Sequence, residues 1–244
     1  MSYDVKDTKG FEFRYNLAGF PANARVYEGA TGTTYTRGTL ATMGANGLIA
    51  SAATTLDDAK ATPIVGVIAE TKETTDDDKM ISIFDNPLNV YEVSVAGHTD
   101  KTVTRSTSDN TIAVDNMGSS TASGLAGTLI HIYDGPGKGQ TRTILSNTTS
   151  NSTGDTITIS GKWDQRPTSA SKAVVLTAYS TSASVKGINI GARAELNTTK
   201  KLHVVPTAYT NGYLNVLKVH PEKLTAEVVI SASDSIFGPS IASS

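Results

Sequence analysis

Along most of this chain, apolar and polar residues change places at every second position. In "FEFRY" (11–15), Phe11, Phe13 and Tyr15 alternate with Glu12 and Arg14, the period of a strand with one dry face. The same pattern in "MISIF", "VYEVSVAG", "TLIHIY", "TRTIL" and "DTITIS" predicts strands at 80–84, 90–95, 128–133, 141–145 and 155–160. "PIVGVIAE" (63–70) is almost continuously apolar and predicts a buried strand. Towards the end, "GINIG", "ARAEL", "LHVVPTAY", "YLNVLKV" and "LTAEVVI" return to the texture of the beginning.

Turn signals divide these runs. Asn46-Gly47 and Asn211-Gly212 are hairpin dipeptides, and "TTDDDK" reads as an acidic turn. "TTLDDAKA" (54–61) has room for one helical turn with a Thr or Asp cap. No longer stretch carries a 3.6-residue period. From His98 to Gly127, small polar residues surround a single apolar patch, "TIAV". That composition predicts exposed loops or a connecting arm.

The expected fold is therefore all-β, a small barrel or sandwich base domain with a second β-rich unit. Residues 1–95 form the first part of the base domain in this reading, and 96–185 the second unit. Residues 186–244 would complete the base, which makes the middle unit an insertion. Three units in series are the alternative.

Composition removes several classes of chemistry. The chain has no cysteine, which excludes disulfides, thiolate metal sites and cysteine nucleophiles. A net charge of −2 with both signs interspersed argues against a nucleic-acid partner, which needs a basic face. No apolar stretch approaches the length of a bilayer span, so no membrane partner is expected. The beginning, "MSYDVKDTKGFEF", lacks the basic and apolar regions of a signal peptide, and synthesis in a cytoplasm is the expectation.

The most conspicuous candidate site is "YDGPGKGQTRTI", with Gly135, Gly137 and Gly139 around Lys138. A phosphate-binding loop needs G-x-x-x-x-G-K-[ST] running into a helix. Here glycine follows the lysine, and an alternating strand follows the glycine. The glycines read as the turn of a hairpin, and no cofactor is expected. His98, His131, His203 and His220 lack metal-ligand spacing, so no metal is expected. Asp76, Asp77 and Asp78 lack the alternation of a calcium loop. The sequons at Asn147, Asn151 and Asn197 read as polar turns. No serine stands in a nucleophile elbow, and no enzymatic activity is expected.

Tyr133 and Trp163 are the candidate surface-binding residues, either of them able to stack on a sugar. For Trp163, the only tryptophan, closure of a small β core is the competing role. Phe11, Phe13 and Tyr15 are the candidate inter-subunit contact. They would belong to an N-terminal arm that pairs with a neighbour's sheet edge, or to an ordinary first strand.

Two segments carry a family likeness. "YTRGTLATMGANGLIASA…PIVGVIAETKETTDDDKMISIF…NVYEVSVAG" resembles the small β domains of head decoration, or cement, proteins of tailed bacteriophages. "IHIYDGPGKGQTRTILSN…GDTITISGKWDQRP" is similar to a hairpin module of phage structural proteins. The resemblance implies a non-enzymatic virion protein on the capsid exterior. Its partners would be the major capsid protein and further copies of itself, as a dimer or trimer. A carbohydrate-binding, host-attachment module on a virion surface is the alternative function.

Overall fold

A computed structural model describes residues 10–21, 23–44, 46–51, 64–73, 75, 80–117, 122–148, 154–177, 187–196, 202–204 and 212–231. Among them lie seventeen strands, numbered β1–β17 in chain order, and no helix. The all-β expectation is borne out. The candidate helical turn at 54–61, Asp76 to Asp78, Asn211, the sequons at Asn151 and Asn197, and the polar residues 1–9 lie outside the described residues.

The strands form three antiparallel assemblies. One is a six-stranded sheet in the order β1 (Glu12–Asn16), β7 (Asn89–Ser94), β17 (Thr225–Ile230), β16 (Leu214–His220), β14 (Arg193–Leu196), β15 (Leu202–Val204). A five-stranded sheet runs β2 (Arg25–Glu28), β6 (Met80–Phe84), β5 (Ile64–Ile68), β3 (Leu40–Met43), β4 (Ile49–Ser51). The third is a closed barrel of β10 (Leu129–Asp134), β11 (Thr141–Asn147), β12 (Asp155–Ile159), β9 (Thr111–Val114), β8 (His98–Ser106) and β13 (Lys172–Leu176). Pairing of β13 back onto β10 closes that ring and leaves it no free edge. Early and late parts of the chain meet in the six-stranded sheet, where β17 pairs with β7 from Thr225↔Ser94 to Val229↔Val90.

The predicted strands appear with small changes at their ends, as β6, β7, β10, β11 and β12. The Asn46-Gly47 turn connects β3 to β4, with Gly44 N donating to Leu48 O at 2.9 Å. The reading of 98–127 needs correction, because "HTDKTVTRS" is the nine-residue strand β8 and "TIAV" is β9. Only Val103 of β8 is fully buried. A barrel wall needs main-chain partners on both sides and an apolar residue only where it faces inward. Threonine serves the wet positions, since its branched side chain suits a pleated strand.

Inward alternation fills the barrel. Ile112 and Val114, Ile130 and Ile132, Ile157 and Ile159, and Ala173 and Val175 join Trp163 in one buried cluster. The intervening Thr156 and Thr158 are half-buried. Strands β5 and β13 have no wet face. From β13, Val174 and Leu176 turn away from the barrel into a cluster with Tyr91, Val93 and Leu214 of the six-stranded sheet. From β5, Ile64 and Val67 enter that same cluster, while Val65 and Ile68 pack inside the five-stranded sheet's own core. Hence "IVGVI" and "KAVVL" are apolar at consecutive positions. Gly66 permits the crossing of β5 and β6, because a Cβ there would collide with the Phe84 carbonyl.

Truncation of one inward barrel residue tests this packing. Ile157→Ala should lower stability by about 2–5 kcal/mol in urea unfolding, as buried Ile-to-Ala changes do. A loss under about 1 kcal/mol would contradict a close-packed barrel core.

Candidate functional site

The glycine loop is a hairpin turn between β10 and β11. Gly135, Gly137 and Gly139 have φ of 76°, 84° and 89°, values that side-chain-bearing residues adopt with strain. Every main-chain N–H the loop could offer a phosphate is already bonded. Gly135 N donates to the Asp134 carboxylate and Gly137 N to Gln165 Oε1. Lys138, Gly139 and Gln140 donate to the carbonyls of Gly135, Ile132 and Gly137. Gln140 then ties the turn to the next loop, donating to Gln165 O at 2.8 Å and accepting from Asp164 N at 2.7 Å. The loop is a closed structural latch.

Tyr133 and Trp163 fall on opposite sides of the barrel wall. Trp163 is 3% exposed inside the barrel core, and its main-chain N–H donates to Asp109 O at 2.9 Å. The Arg142 guanidinium stands 6.0 Å from the ring centroid. As a sugar platform Trp163 is therefore corrected, since its ring offers no open face. Tyr133 packs partly buried against the central cluster, and its hydroxyl donates to Asp100 of β8. The structure does not bring the two rings to one surface. Asn147 is also buried, accepting from Leu125 N at 2.9 Å.

A row of charges unforeseen in the sequence crosses the six-stranded sheet. Glu12 lies opposite Glu92, Glu92 opposite Glu227, and Glu227 opposite Lys218. Like charges on adjacent strands repel, so each carboxylate needs donors. Arg14 forms an ion pair with Glu92, and Thr225 donates to it at 2.7 Å. Glu227 receives the Tyr15 hydroxyl at 2.9 Å and stands 2.9 Å from His220 Nε2. The other His220 nitrogen is 3.1 Å from Glu222. Burial alone would raise the Glu227 carboxyl, but hydrogen bonds from His220 and Tyr15 outweigh it and hold it below 4.5. The bond to Glu227 raises the Tyr15 phenol. The sequence signal was a glutamate interrupting an apolar run, in "VYEVSV" and again in "LTAEVVI".

The row fastens β1 to its own sheet, so Phe13 and Tyr15 lie in an ordinary first strand at a sheet edge, with Phe11 just before it. Phe11 is buried, Phe13 is half-buried against Phe84 and Tyr91, and Tyr15 is 44% exposed. Of the three, Tyr15 is the most exposed. Beyond it, the chain turns where Gly19 N donates to Asn16 O and Leu17 N to Leu88 O. There Leu17, Phe20 and Leu88 are 52%, 64% and 43% exposed, which groups large apolar side chains on two adjoining turns.

His131 of β10 is buried, with Nδ1 2.8 Å from Thr141 Oγ1. Burial lowers its basicity, while the Glu222 charge acts in the opposite sense. Among the described residues no cluster of three or more His, Cys, Asp or Glu is arranged to hold a metal, and no helix is long and apolar enough to cross a membrane. No family model, curated protein or solved structure matches this chain.

Gly135→Ala should lower stability by roughly 1–3 kcal/mol, since its Cβ would strike the Ala170 carbonyl. Calorimetric titration with ATP should give no saturable heat that Lys138→Ala removes; micromolar binding lost in that variant would reverse this reading.

Acid should destabilise the protein in two steps. The native His131 titrates below 6.5, so the unfolded chain binds protons first and stability declines as pH falls from about 6.5. Glu227 titrates below 4.5 when folded, so its contribution is present above that value and lost as pH falls through the native one. Urea midpoints measured from neutral pH to about pH 3 should show both declines, with Glu227→Gln shrinking only the lower one. A midpoint independent of pH would refute the assignment.

Proposed function

We propose that this chain is a non-enzymatic virion protein that decorates the exterior of a tailed-phage capsid and stabilises it by bridging capsomers. The observation that carries the reading is the exposed apolar group of Leu17, Phe20 and Leu88 beside a sheet edge. Water-exposed apolar side chains gathered on a rigid framework mark a surface that another protein covers. The likeness of the 35–97 segment to phage head decoration proteins, and of the 130–167 segment to a module of phage structural proteins, supplies the kind of partner, the major capsid protein. A ligand that binds the assembled shell and not its separated subunits stabilises the shell by mass action. Repetition of the capsomers favours a symmetric homo-oligomer.

Glycan attachment receives less support, because its principal platform, Trp163, is enclosed in the barrel. Co-sedimentation with expanded heads assembled from the coat protein of the same genome tests the proposal. The wild type should saturate the shells at a copy number comparable to the coat protein. The double variant Leu17→Ser, Phe20→Ser should attach at least about tenfold more weakly, a difference expected of lost interface anchors, with an unchanged melting temperature. Wild type that stays in the supernatant, or a variant that binds equally well, would overturn it.

A further inference from the structure

The outer edge of β1 borders a groove of about 690 Å³ lined by Phe11, Glu12, Phe13, Arg37, Ile68 and Phe84. Such a volume suits a few side chains of a bound segment. Its aromatic floor is preformed. Phe13 and Phe84 stack at 5.8 Å, and Tyr91 meets Phe11 and Phe13 edge-on at 5.6 and 6.4 Å. Phe13 and Phe84 are only half-buried, which leaves ring surface open to an apolar side chain.

Main-chain groups face the same way. Phe11 N donates away from β7, to Gly38 O at 2.8 Å. The two-residue repeat of a strand puts the peptide groups of Phe13 on that outer side too, where β1 has no neighbouring strand among the described residues. The irregularity between Phe13 and Tyr15 ends the usable edge, so an added strand must be short. Charge then orients it. Arg37 is exposed with no ion pair among the described residues, its backbone fixed by a bond to Thr71. The acidic lining residue, Glu12, lies 4.0 Å from Arg14. Among the described residues, the unmatched charge at the rim is positive.

We propose that this groove binds a short extended segment of a partner protein, in which an apolar side chain fills the aromatic floor and an adjacent carboxylate meets Arg37. The inference rests on the reading of the chain as an attachment protein and names the kind of segment it grips.

Fluorescein-labelled peptides of sequence Thr-Val-Phe-Asp-Val-Thr and Thr-Val-Phe-Lys-Val-Thr provide the test, by anisotropy at low salt. The Asp peptide should bind about tenfold more tightly than the Lys peptide, the scale of one close charge pair. Arg37→Glu, a change at an exposed position, should invert that order. N-methylation of the peptide backbone should abolish binding, because strand addition needs its N–H groups. Equal affinity for both peptides, a preference that survives Arg37→Glu, or no binding of either would overturn the inference. So would self-association abolished by Arg37→Glu, which would make a second copy the occupant. Wild type that fails to bind shells while the peptide preference holds would sink the attachment reading alone. Shell binding without any peptide preference would sink only this one.

Discussion

Everything in this fold depends on a single apolar cluster to which all three β assemblies contribute. Tyr91, Val93, Leu214, Val216 and Val228 supply it from the six-stranded sheet, Ile64 and Val67 from the five-stranded sheet, and Val174 and Leu176 from the barrel wall. A small sheet or barrel buries too little apolar area alone to offset the entropy of ordering its chain. Here β5 and β13 each serve two cores. In β13 alternate side chains leave the strand on opposite faces. In β5 a bulge opposite Ala41 and Thr42 changes the alternation, so that Ile64 and Val67 share one core. With no cysteine in the chain, cohesion between the three parts comes from this shared burial, while the β17–β7 ladder joins early and late segments of the chain within one sheet. That arrangement places β1 at a fixed edge and keeps the turn after it outside the core.

Electrostatics impose a second constraint on the same sheet. Glu92 and Glu227 sit on neighbouring strands with side chains 9% and 12% exposed, so their charges are poorly screened by water. A carboxylate in that position is tolerated only when donors surround it. Arg14, Thr225, Tyr15 and His220 provide them, and two of the four come from β1. The edge strand is thus held by polar groups on one side and by Phe11 and Phe13 on the other. A strand fastened on both faces is a poor candidate for a free arm, and a sound rim for a preformed groove.

The strands that alternate were legible because their two faces differ. "DTITI" has threonine towards water and isoleucine inward, and the pattern states both the strand and its register. The barrel strand "HTDKTVTRS" was not legible as such. Its register is set by partners on β13 and β9, and only Val103 announces an inside. The glycine loop was legible from what it lacked, a helix after the lysine. Trp163 was ambiguous because composition cannot say whether an aromatic ring is covered. The glutamate row was invisible because Glu12, Glu92 and Glu227 meet only through pairings between distant segments. Likewise the groove joins β1 to Arg37, Ile68 and Phe84, which no local spacing relates.

Contrast between the two glycine-associated edges locates where this molecule can still form bonds. At Gly135–Gly139 each peptide N–H is matched, each turn glycine is fixed by its φ, and Gln140 bridges to the neighbouring loop. A saturated hydrogen-bonding surface gains little by meeting another molecule, since any new bond must replace an existing one. At Gly38 the situation differs. Its carbonyl accepts from Phe11, and two residues further the outward peptide groups of Phe13 meet no strand among the described residues. They stand beside half-buried aromatic rings. A segment that supplies strand hydrogen bonds and an apolar side chain together improves both at once. Unsatisfied capacity and exposed apolar surface coincide at β1 and its turn, which is the physical reason to seek the partner there.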